Sequence, residues 1–320
     1  MKRIGVITSG GDAPGMNAAL RAVVRAALGR GAEIIGFYHG YQGLIDGEER
    51  RLDSPSVGGI IDRGGTILRT ARSKEFMHRD GRAKAYGVLQ ANGCEGLVVI
   101  GGDGSLTGAL KLQEEFDFPV MGIPGSIDND ISGTDFSIGF DTAVNTAVDA
   151  IDRVRDTAYS HERVFVIEVM GRRNGYIALE AGLAGGAEAI IVPEVPFSLP
   201  EICQGLQEAA GKGKRSSIIV VAEGAAKAED VREFVSENTP FECRAVVLGH
   251  MQRGGSPTAF DRVLALRLGA LATNRMLSGY RGEMAGVDGN QLVSHPLTFV
   301  LNSERLMDPE KLLLCEAMAQ

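Results

Sequence analysis

The sequence predicts an α/β protein of two domains whose central sheets are mostly parallel. Short apolar runs alternate with glycine-bearing turns and with stretches of helical spacing along the chain. Most of these runs are continuous and β-branched, which is typical of strands covered by helices on both faces. A chain of 320 residues is long for one core, so we expect two domains with a boundary near residue 140.

The predicted elements begin at residue 4. β-Branched residues dominate the strand candidates, which cover residues 4–7, 34–38, 97–100, 120–123, 164–169, 189–192, 218–222 and 245–248. The clearest helices are predicted over residues 16–28 and 142–155. Pro14 and Gly15 favour a helix start directly before the first of these.

Composition excludes several functional classes. Hydrophobic residues make up 44% and charged residues 23%, as in an ordinary globular protein. The net charge of -8 leaves no basic surface, so we expect no nucleic-acid partner and no membrane partner. Neither a membrane-spanning stretch nor a secretory segment is predicted. The cysteines stand singly and fit a reducing cytoplasm; they are Cys94, Cys203, Cys243 and Cys315.

A glycine-rich turn over residues 8–17 separates the first strand from the first helix. Backbone N–H groups and the helix dipole at such a turn favour phosphate. The turn does not match G-x-G-x-x-G, and the chain contains no G-x-x-x-x-G-K-[ST]. A Rossmann dehydrogenase and a P-loop kinase are therefore disfavoured. By itself the turn fits a tight connection equally well.

A second glycine-rich turn, residues 101–105, reads Gly-Gly-Asp-Gly-Ser and follows a buried strand. Glycine backbone can approach phosphate oxygens, and the aspartate can offer a carboxylate to a metal ion. This pattern is similar to turns of NAD kinases, diacylglycerol kinases and phosphofructokinases. It therefore indicates phosphoryl transfer and leaves the acceptor open.

The next predicted strand ends in an acidic turn, residues 124–130, which reads Pro-Gly-Ser-Ile-Asp-Asn-Asp. The carboxyl ends of parallel strands are where α/β enzymes place their chemistry. The structural alternative is a turn in which aspartate side chains cap the backbone. We favour a catalytic base here, next to phosphate on the preceding turn.

Taken together, the motifs resemble those of the bacterial ATP-dependent phosphofructokinases. The matching blocks run from the N-terminus to about residue 270 and comprise residues 8–17, 64–68, 70–72, 101–105, 124–130, 139–143, 160–163, 168–172, 222–224 and 248–256. The resemblance implies two similar α/β domains. It assigns residues 1–139 plus 252–303 to ATP and residues 140–251 plus 304–320 to fructose 6-phosphate.

The resemblance also implies the reaction, which is transfer of the γ-phosphoryl group of MgATP to the C1 hydroxyl of fructose 6-phosphate. Alignment and charge stabilisation lower the barrier of such a step. Asp128 would accept the hydroxyl proton, and Asp103 would bind Mg2+ through the nucleotide phosphates. The implied catalytic residues are Gly11, Ser126, Asp128, Asp130 and Arg172. Ser126 replaces the family threonine and keeps its hydroxyl.

Two small residues favour ATP over pyrophosphate as the donor. The implied ATP-binding residues are Gly11, Arg72, Gly102, Asp103, Gly104 and Ser105. Pyrophosphate users of the family carry an acid and a lysine where this chain has Gly104 and Gly125. Larger side chains there would occupy space that the nucleotide needs.

The resemblance places the sugar phosphate on a further set of residues. These are Ser126, Ile127, Asp128, Arg163, Met170, Gly171, Arg172, Glu223, Arg244, His250 and Arg253. Guanidinium groups suit phosphate geometry. The structural alternatives are solvated surface charges for the arginines and a satisfied core histidine for His250.

Regulation and assembly are also implied by the resemblance. A site between subunits for ADP and phosphoenolpyruvate would use Arg21, Arg25, Arg155, Gly186, Glu188, Lys212 and Lys214. Arg21 and Arg25 are four residues apart and so share a helix face. Gly59, Arg173 and Asn174 depart from the family pattern. We expect a homotetramer; a nucleotide-sensing paralogue and a kinase for another phosphosugar are the alternatives.

Overall fold

The computed structural model describes residues 1–318, with side chains for all of these except 309, 312, 315, 316 and 318. The chain forms two compact units, of which the first comprises Met1–Asp141 and Arg253–Arg305 and the second Thr142–Gln252 and Leu306–Gln320. The strands are β1 (Arg3–Ser9), β2 (Glu33–Phe37), β3 (Glu49–Leu52), β4 (Leu97–Gly101), β5 (Val120–Pro124), β6 (Val164–Val169), β7 (Ala189–Ile191), β8 (Ser217–Ala222), β9 (Cys243–Val247), β10 (Glu283–Asp288) and β11 (Gln291–Pro296). The helices are α1 (Met16–Gly29), α2 (Gly40–Asp46), α3 (Arg79–Ala91), α4 (Asp103–Phe116), α5 (Phe140–His161), α6 (Tyr176–Ala184), α7 (Leu199–Gly211), α8 (Ala228–Asn238), α9 (Ala259–Leu277), α10 (Leu297–Asn302) and α11 (Pro309–Met318).

The sheet of the first unit has the strand order β11-β10-β5-β4-β1-β2-β3. Its inner strands are parallel, whereas β3 and β11 pair antiparallel at the two edges. Ser9 pairs with Gly101, and Gly101 pairs with Pro124, at the carboxyl ends of the three central strands. The turns after β1, β4 and β5 therefore leave the sheet side by side.

The sheet of the second unit is entirely parallel, in the order β7-β8-β6-β9. Val169 at the end of β6 pairs with Ala222 at the end of β8, and Glu168 pairs with Val247 of β9. This register brings the segments after β6, β8 and β9 to one edge of the sheet. An apolar core formed largely by β6, β8, α7 and α8 supports them.

The predicted α/β class with mostly parallel sheets is confirmed. Each predicted strand is present, with ends that differ by at most two residues; the strand predicted over residues 164–169 has the predicted bounds, and the one predicted over residues 245–248 is Cys243–Val247. The helix predicted over residues 142–155 is longer and covers Phe140–His161. Sequence reasoning missed β3, β10 and β11. Two of these, β3 and β11, are edge strands with several exposed or half-exposed residues, so they lack the continuous apolar run of a buried parallel strand.

Helix packing in the first unit is tight between α1 and α9. A Cβ atom at Gly269 would lie 2.7 Å from Ala22 Cβ, so the two backbones approach closely only with glycine there. Cys94, Cys203 and Cys243 are free thiols, and the Cys315 side chain lies outside the described residues. No helix in the described part of the chain is long and apolar enough to cross a membrane.

Candidate active site

A cleft of about 770 Å³ opens at the carboxyl ends of β1, β4 and β5 in the first unit. Most predicted ATP-binding and catalytic residues line it. These are Gly11, Arg72, Gly102, Asp103, Gly104, Ser105, Ser126, Asp128 and Asp130, and Arg253, predicted as a substrate residue, lines the cleft as well. Ile127, predicted as a substrate residue, belongs to the acidic turn, but it is fully buried and does not line the cleft. The structure thus brings the three predicted turns to one cleft.

The glycine turn after β4 leads directly into a helix. Gly102 lies at the N-terminal end of α4, and its carbonyl accepts hydrogen bonds from the N–H groups of Ser105 and Leu106. Asp103 is the first residue of α4, where the helix dipole stabilises a carboxylate. A Cβ atom at Gly101 would lie 2.4 Å from Ser9 O, so the close approach of β1 and β4 requires glycine.

In the acidic turn, the side chain of Asn129 stabilises the backbone, whereas Asp128 and Asp130 line the cleft. Asn129 is buried with a left-handed φ of 53°, and its amide bonds to Asp135 O and to the N–H of Ser137 at 3.1 and 2.8 Å. Asp128 and Asp130 line the cleft instead. The Ser126 hydroxyl donates to Asp130 Oδ1 and accepts from the N–H of Asp128, both at 3.2 Å. The turn is therefore held by Asn129 and Ser126.

Gly11 and Arg253 meet at another wall of the cleft. A Cβ atom at Gly11 would lie 2.6 Å from Arg253 Nη1. The same guanidinium donates to Asp12 O at 3.3 Å. A glycine at position 11 therefore lets a cation reach the backbone at the start of the cleft.

An aromatic wall completes the cleft and was not predicted. Tyr41 and Phe76 stack with ring centroids 3.8 Å apart, and Tyr41 Oη donates to Ser105 O at 2.6 Å. Arg82 holds the Phe76 turn by donating to the carbonyls of Phe76 and Met77, and it pairs with Glu115 at 2.6 Å. Hydrogen bonding by Arg82 keeps the pKa of Glu115 below its ordinary value. Because these residues come from distant parts of the sequence, no local pattern could have indicated them.

The second unit holds the other predicted substrate residues, in part on neighbouring segments. Residues 170–172 follow β6, and Glu223 follows β8. The N–H of Glu223 donates to Val169 O and the N–H of Gly224 donates to Gly171 O, at 2.9 and 3.0 Å. The N–H of Met170 donates to Oε1 of buried Gln252 at 2.7 Å. Met170, Gly171, Arg172 and Glu223 are thus held together.

Arg163 and Arg244 converge on an acceptor that the sequence did not single out. Arg163 Nε lies 2.8 Å from Glu242 Oε2, and Arg244 Nη2 lies 2.5 Å from Glu242 Oε1. The hydrogen bond from Arg163 lowers the pKa of Glu242 most, and the hydrogen bond from Arg244 lowers it further. Two predicted phosphate ligands are therefore oriented by one carboxylate. His250 is exposed, so the alternative of a buried core histidine is wrong.

The predicted effector residues of the second unit also form a cluster. Glu188 Oε1 pairs with Lys214 Nζ at 2.8 Å and lies 3.9 Å from Arg155 Nη1. Arg155 donates to Gly186 O at 2.7 Å. Lys212 and Glu188 line a neighbouring cavity of about 460 Å³. Arg21 and Arg25 lie on α1 in the first unit, half-buried and exposed respectively.

Comparison with known proteins gives a consistent result. Residues 3–276 match the family model described as phosphofructokinase. The chain is 55% identical to the ATP-dependent 6-phosphofructokinase of Halalkalibacterium halodurans and 54% identical to that of Bacillus pumilus, each over 100% of both chains.

Solved structures agree on the fold. Phosphofructokinase from Saccharomyces cerevisiae is 39% identical with a TM-score of 0.88, and the alignment covers 94% of this chain and 45% of the yeast chain. The Pichia pastoris enzyme in the T-state is 37% identical with a TM-score of 0.90, over 99% of this chain and 36% of that one. A pyrophosphate-dependent phosphofructokinase from Marinobacter aquaeolei shares the fold, with a TM-score of 0.87 at 22% identity over 97% of this chain and 86% of its own. The family match and the two curated relatives, which are similar over their full length, lead to one conclusion: the chain belongs to the phosphofructokinase family.

Proposed function

We propose that the protein is an ATP-dependent 6-phosphofructokinase, which transfers the γ-phosphoryl group of MgATP to the C1 hydroxyl of fructose 6-phosphate. One observation carries the proposal: the glycine turn at the start of α4 and the carboxylates Asp128 and Asp130 line the same cleft. A phosphate site and a candidate base in one cleft fit phosphoryl transfer to a hydroxyl. The first unit would bind MgATP, and the second would bind the sugar phosphate.

Each group has a role that fits its surroundings. Asp128 would take the proton from the attacking hydroxyl, and Asp130 would keep the Ser126 hydroxyl oriented. The Gly11 N–H, Arg72 and Arg172 would stabilise charge on the transferring group. Arg163, Arg244, His250 and Arg253 would bind the 6-phosphate, while Glu223 and residues 170–171 would bind the sugar.

Mg2+ would bind at Asp103. Among the described residues, no group of three or more His, Cys, Asp or Glu side chains could hold a metal ion alone. This fits Mg2+, which is commonly held by one or two carboxylates together with substrate phosphates and water. When bound, the ion would neutralise charge on the nucleotide phosphates.

A coupled assay of ADP formation tests this function directly. Purified protein should turn over ATP with fructose 6-phosphate and do so much more slowly with tagatose 6-phosphate. Faster turnover with tagatose 6-phosphate would favour a kinase for another phosphosugar. Absence of turnover with either, while ATP still binds, would favour a nucleotide-sensing protein.

Gly104→Asp should raise the KM for ATP far more than the KM for fructose 6-phosphate. A Cβ atom at Gly104 meets nothing within 4 Å, so the new carboxylate would enter the cleft and repel nucleotide phosphates. The fold should survive, because an acid in the first turn of α4 is compatible with the helix dipole. Gly125→Lys should act similarly; its Cβ would lie 3.1 Å from the flexible end of Met16. Gly104→Ala is the matched control, and unchanged ATP affinity in both charged variants would contradict the donor assignment.

We further propose that the enzyme is a cytoplasmic homotetramer in which ADP and phosphoenolpyruvate compete for a site between subunits. The cluster of Arg155, Lys212 and Lys214 around Glu188 offers the cations that these anionic ligands need. Arg21 and Arg25, together with Gly186, would complete the site. In the same arrangement, Arg163 and Arg244 would serve the active site of the neighbouring subunit.

Arg21→Ala and Arg155→Ala should each weaken the response to ADP and alter inhibition by phosphoenolpyruvate, with basal turnover largely kept. The reason is that loss of a phosphate-binding cation changes effector affinity at a site remote from the chemistry. Activity titrations with each effector measure this. Arg153→Ala, an exposed residue of α5 that pairs with Asp149, is the matched control. Loss of basal activity with an unchanged ADP response would reverse the assignment.

A further inference from the structure

A buried amide near the start of α1 belongs to none of the roles described above. Asn17 is 2% exposed and does not line the cleft. Its Nδ2 donates to Arg63 O and Gly64 O at 3.0 and 3.3 Å, and its Oδ1 accepts from the N–H of Ile67 at 2.8 Å. Two carbonyls on one side and an N–H on the other define the orientation of the amide. These three side-chain hydrogen bonds all go to one segment of the chain, residues 63–67.

That segment, residues 63–67, has no regular structure of its own. It lies in the stretch between the turn Pro55–Val57 and the turn Glu75–Met77, where the described chain has neither helix nor strand. Besides Asn17, the Thr8 hydroxyl bonds to the segment at Thr66 Oγ1, 2.9 Å away, and it also donates to Arg69 O, two residues after the segment, at 3.0 Å. Side-chain hydrogen bonds from β1 and α1 therefore help to fix its position.

Segment 63–67 is connected to two parts of the cleft wall, although none of its own residues lines the cleft. Residues 71–73 follow it closely and line the cleft, with Arg72 among them. At its other end, a Cβ atom at Gly64 would lie 2.3 Å from Gly255 O, so the segment packs directly on the backbone two residues after Arg253. A shift of the segment would therefore move Arg72 and press on the loop that carries Arg253.

We infer that Asn17 is a positioning residue for the nucleotide half of the active site, which acts by fixing residues 63–67 and thereby the reach of Arg72. The inference rests on the proposed function, since Arg72 is taken to contact nucleotide phosphates. Guanidinium bonds to phosphate are directional, so a displaced guanidinium loses much of its interaction. Asn17 would thus affect the binding of ATP without contacting the nucleotide.

Asn17→Asp tests the inference with a side chain of the same size that cannot donate to Arg63 O and Gly64 O. We expect the KM for ATP, and the Kd for a non-hydrolysable ATP analogue, to rise by about tenfold or more. The KM for fructose 6-phosphate should change far less. Thr66→Val should raise the same two constants. Thr66→Ser, which keeps the hydroxyl, should leave them close to their wild-type values.

A second buried residue separates positioning from general stability. Thr273 is buried in α9, where its hydroxyl donates to Gly269 O at 2.8 Å. Thr273→Val removes a buried hydrogen bond with no connection to residues 63–67. It should lower the melting temperature while leaving the KM for ATP unchanged. Equal effects of Thr273→Val and Asn17→Asp on ATP binding would overturn the inference.

A double-mutant cycle gives the sharpest result. If Asn17 acts through Arg72, Asn17→Asp should add little to the weakened ATP binding of Arg72→Ala. Additive effects would overturn the inference. Analogue binding by the wild-type protein, together with turnover of fructose 6-phosphate, tests the proposed function separately. A wild-type protein that fails these assays contradicts that function, whereas unaffected binding in the Asn17 and Thr66 variants contradicts only the positioning role.

Discussion

Asp128→Asn should lower turnover by about 10²–10⁴-fold, the usual contribution of a positioned general base. The fold and the binding of fructose 6-phosphate should persist, because the replacement has the same size. The backbone N–H of residue 128, which donates to the Ser126 hydroxyl, is also retained. Steady-state kinetics and thermal melting measure the two parts of this expectation. Near-normal turnover would show that the proton goes elsewhere.

The neighbouring residue provides the matched control. Asn129→Asp makes the reverse exchange of amide and acid one position along the chain. It should mainly lower stability, by about 1–3 kcal/mol, because a buried side chain would lose its donor to Asp135 O. Asp128→Asn should leave the melting temperature unchanged. If both variants lost stability and activity alike, Asp128 would have a structural role.

The site residues that the sequence predicts best are those in the turns directly after β4 and β5. β4 and β5 are continuous apolar runs, so their ends and the turns after them are recognisable. Adjacent parallel strands then bring Asp103 and Asp128 to one edge, where the structure places them. Asp103 also starts α4, so this aspartate has a structural contribution that the pattern alone did not indicate.

Other features depend on contacts that no local pattern encodes. The acidic turn contains three similar polar residues, and only the left-handed backbone at Asn129 decides which of them faces inward. Tyr41 and Phe76 meet across a long sequence separation, and the packing of the α2 region against residues 75–77 determines their stacking. Glu242 reaches Arg163 because β6 and β9 are paired neighbours. Each case is set by tertiary structure rather than by periodicity.

Mixing two inactive variants should restore activity. Asp128→Asn lacks the proposed base, and Arg244→Ala leaves the substrate phosphate without one charge-assisted partner. Each should have little activity alone at low fructose 6-phosphate. Under the proposed assembly, Asp128 and Arg244 of one chain serve two different active sites. A hybrid pair then contains one site with both lesions and one intact site.

Unfolding the two variants together and reassembling them should restore about a quarter of wild-type activity, since random pairing makes half of the pairs hybrid and half of their sites intact. Wild-type protein treated in the same way controls for losses on refolding. Variants carrying different affinity tags allow tetramers that contain both variants to be isolated, and these should have a little over a quarter of wild-type activity, because some of their pairs join like variants. Glu242 pairs with both Arg163 and Arg244, so Arg163→Ala in place of Arg244→Ala should give the same recovery. If the isolated tetramers had no activity, Arg244 would serve the site of its own chain. In that case every site would lack either Asp128 or Arg244, and the partner could not supply the missing side chain.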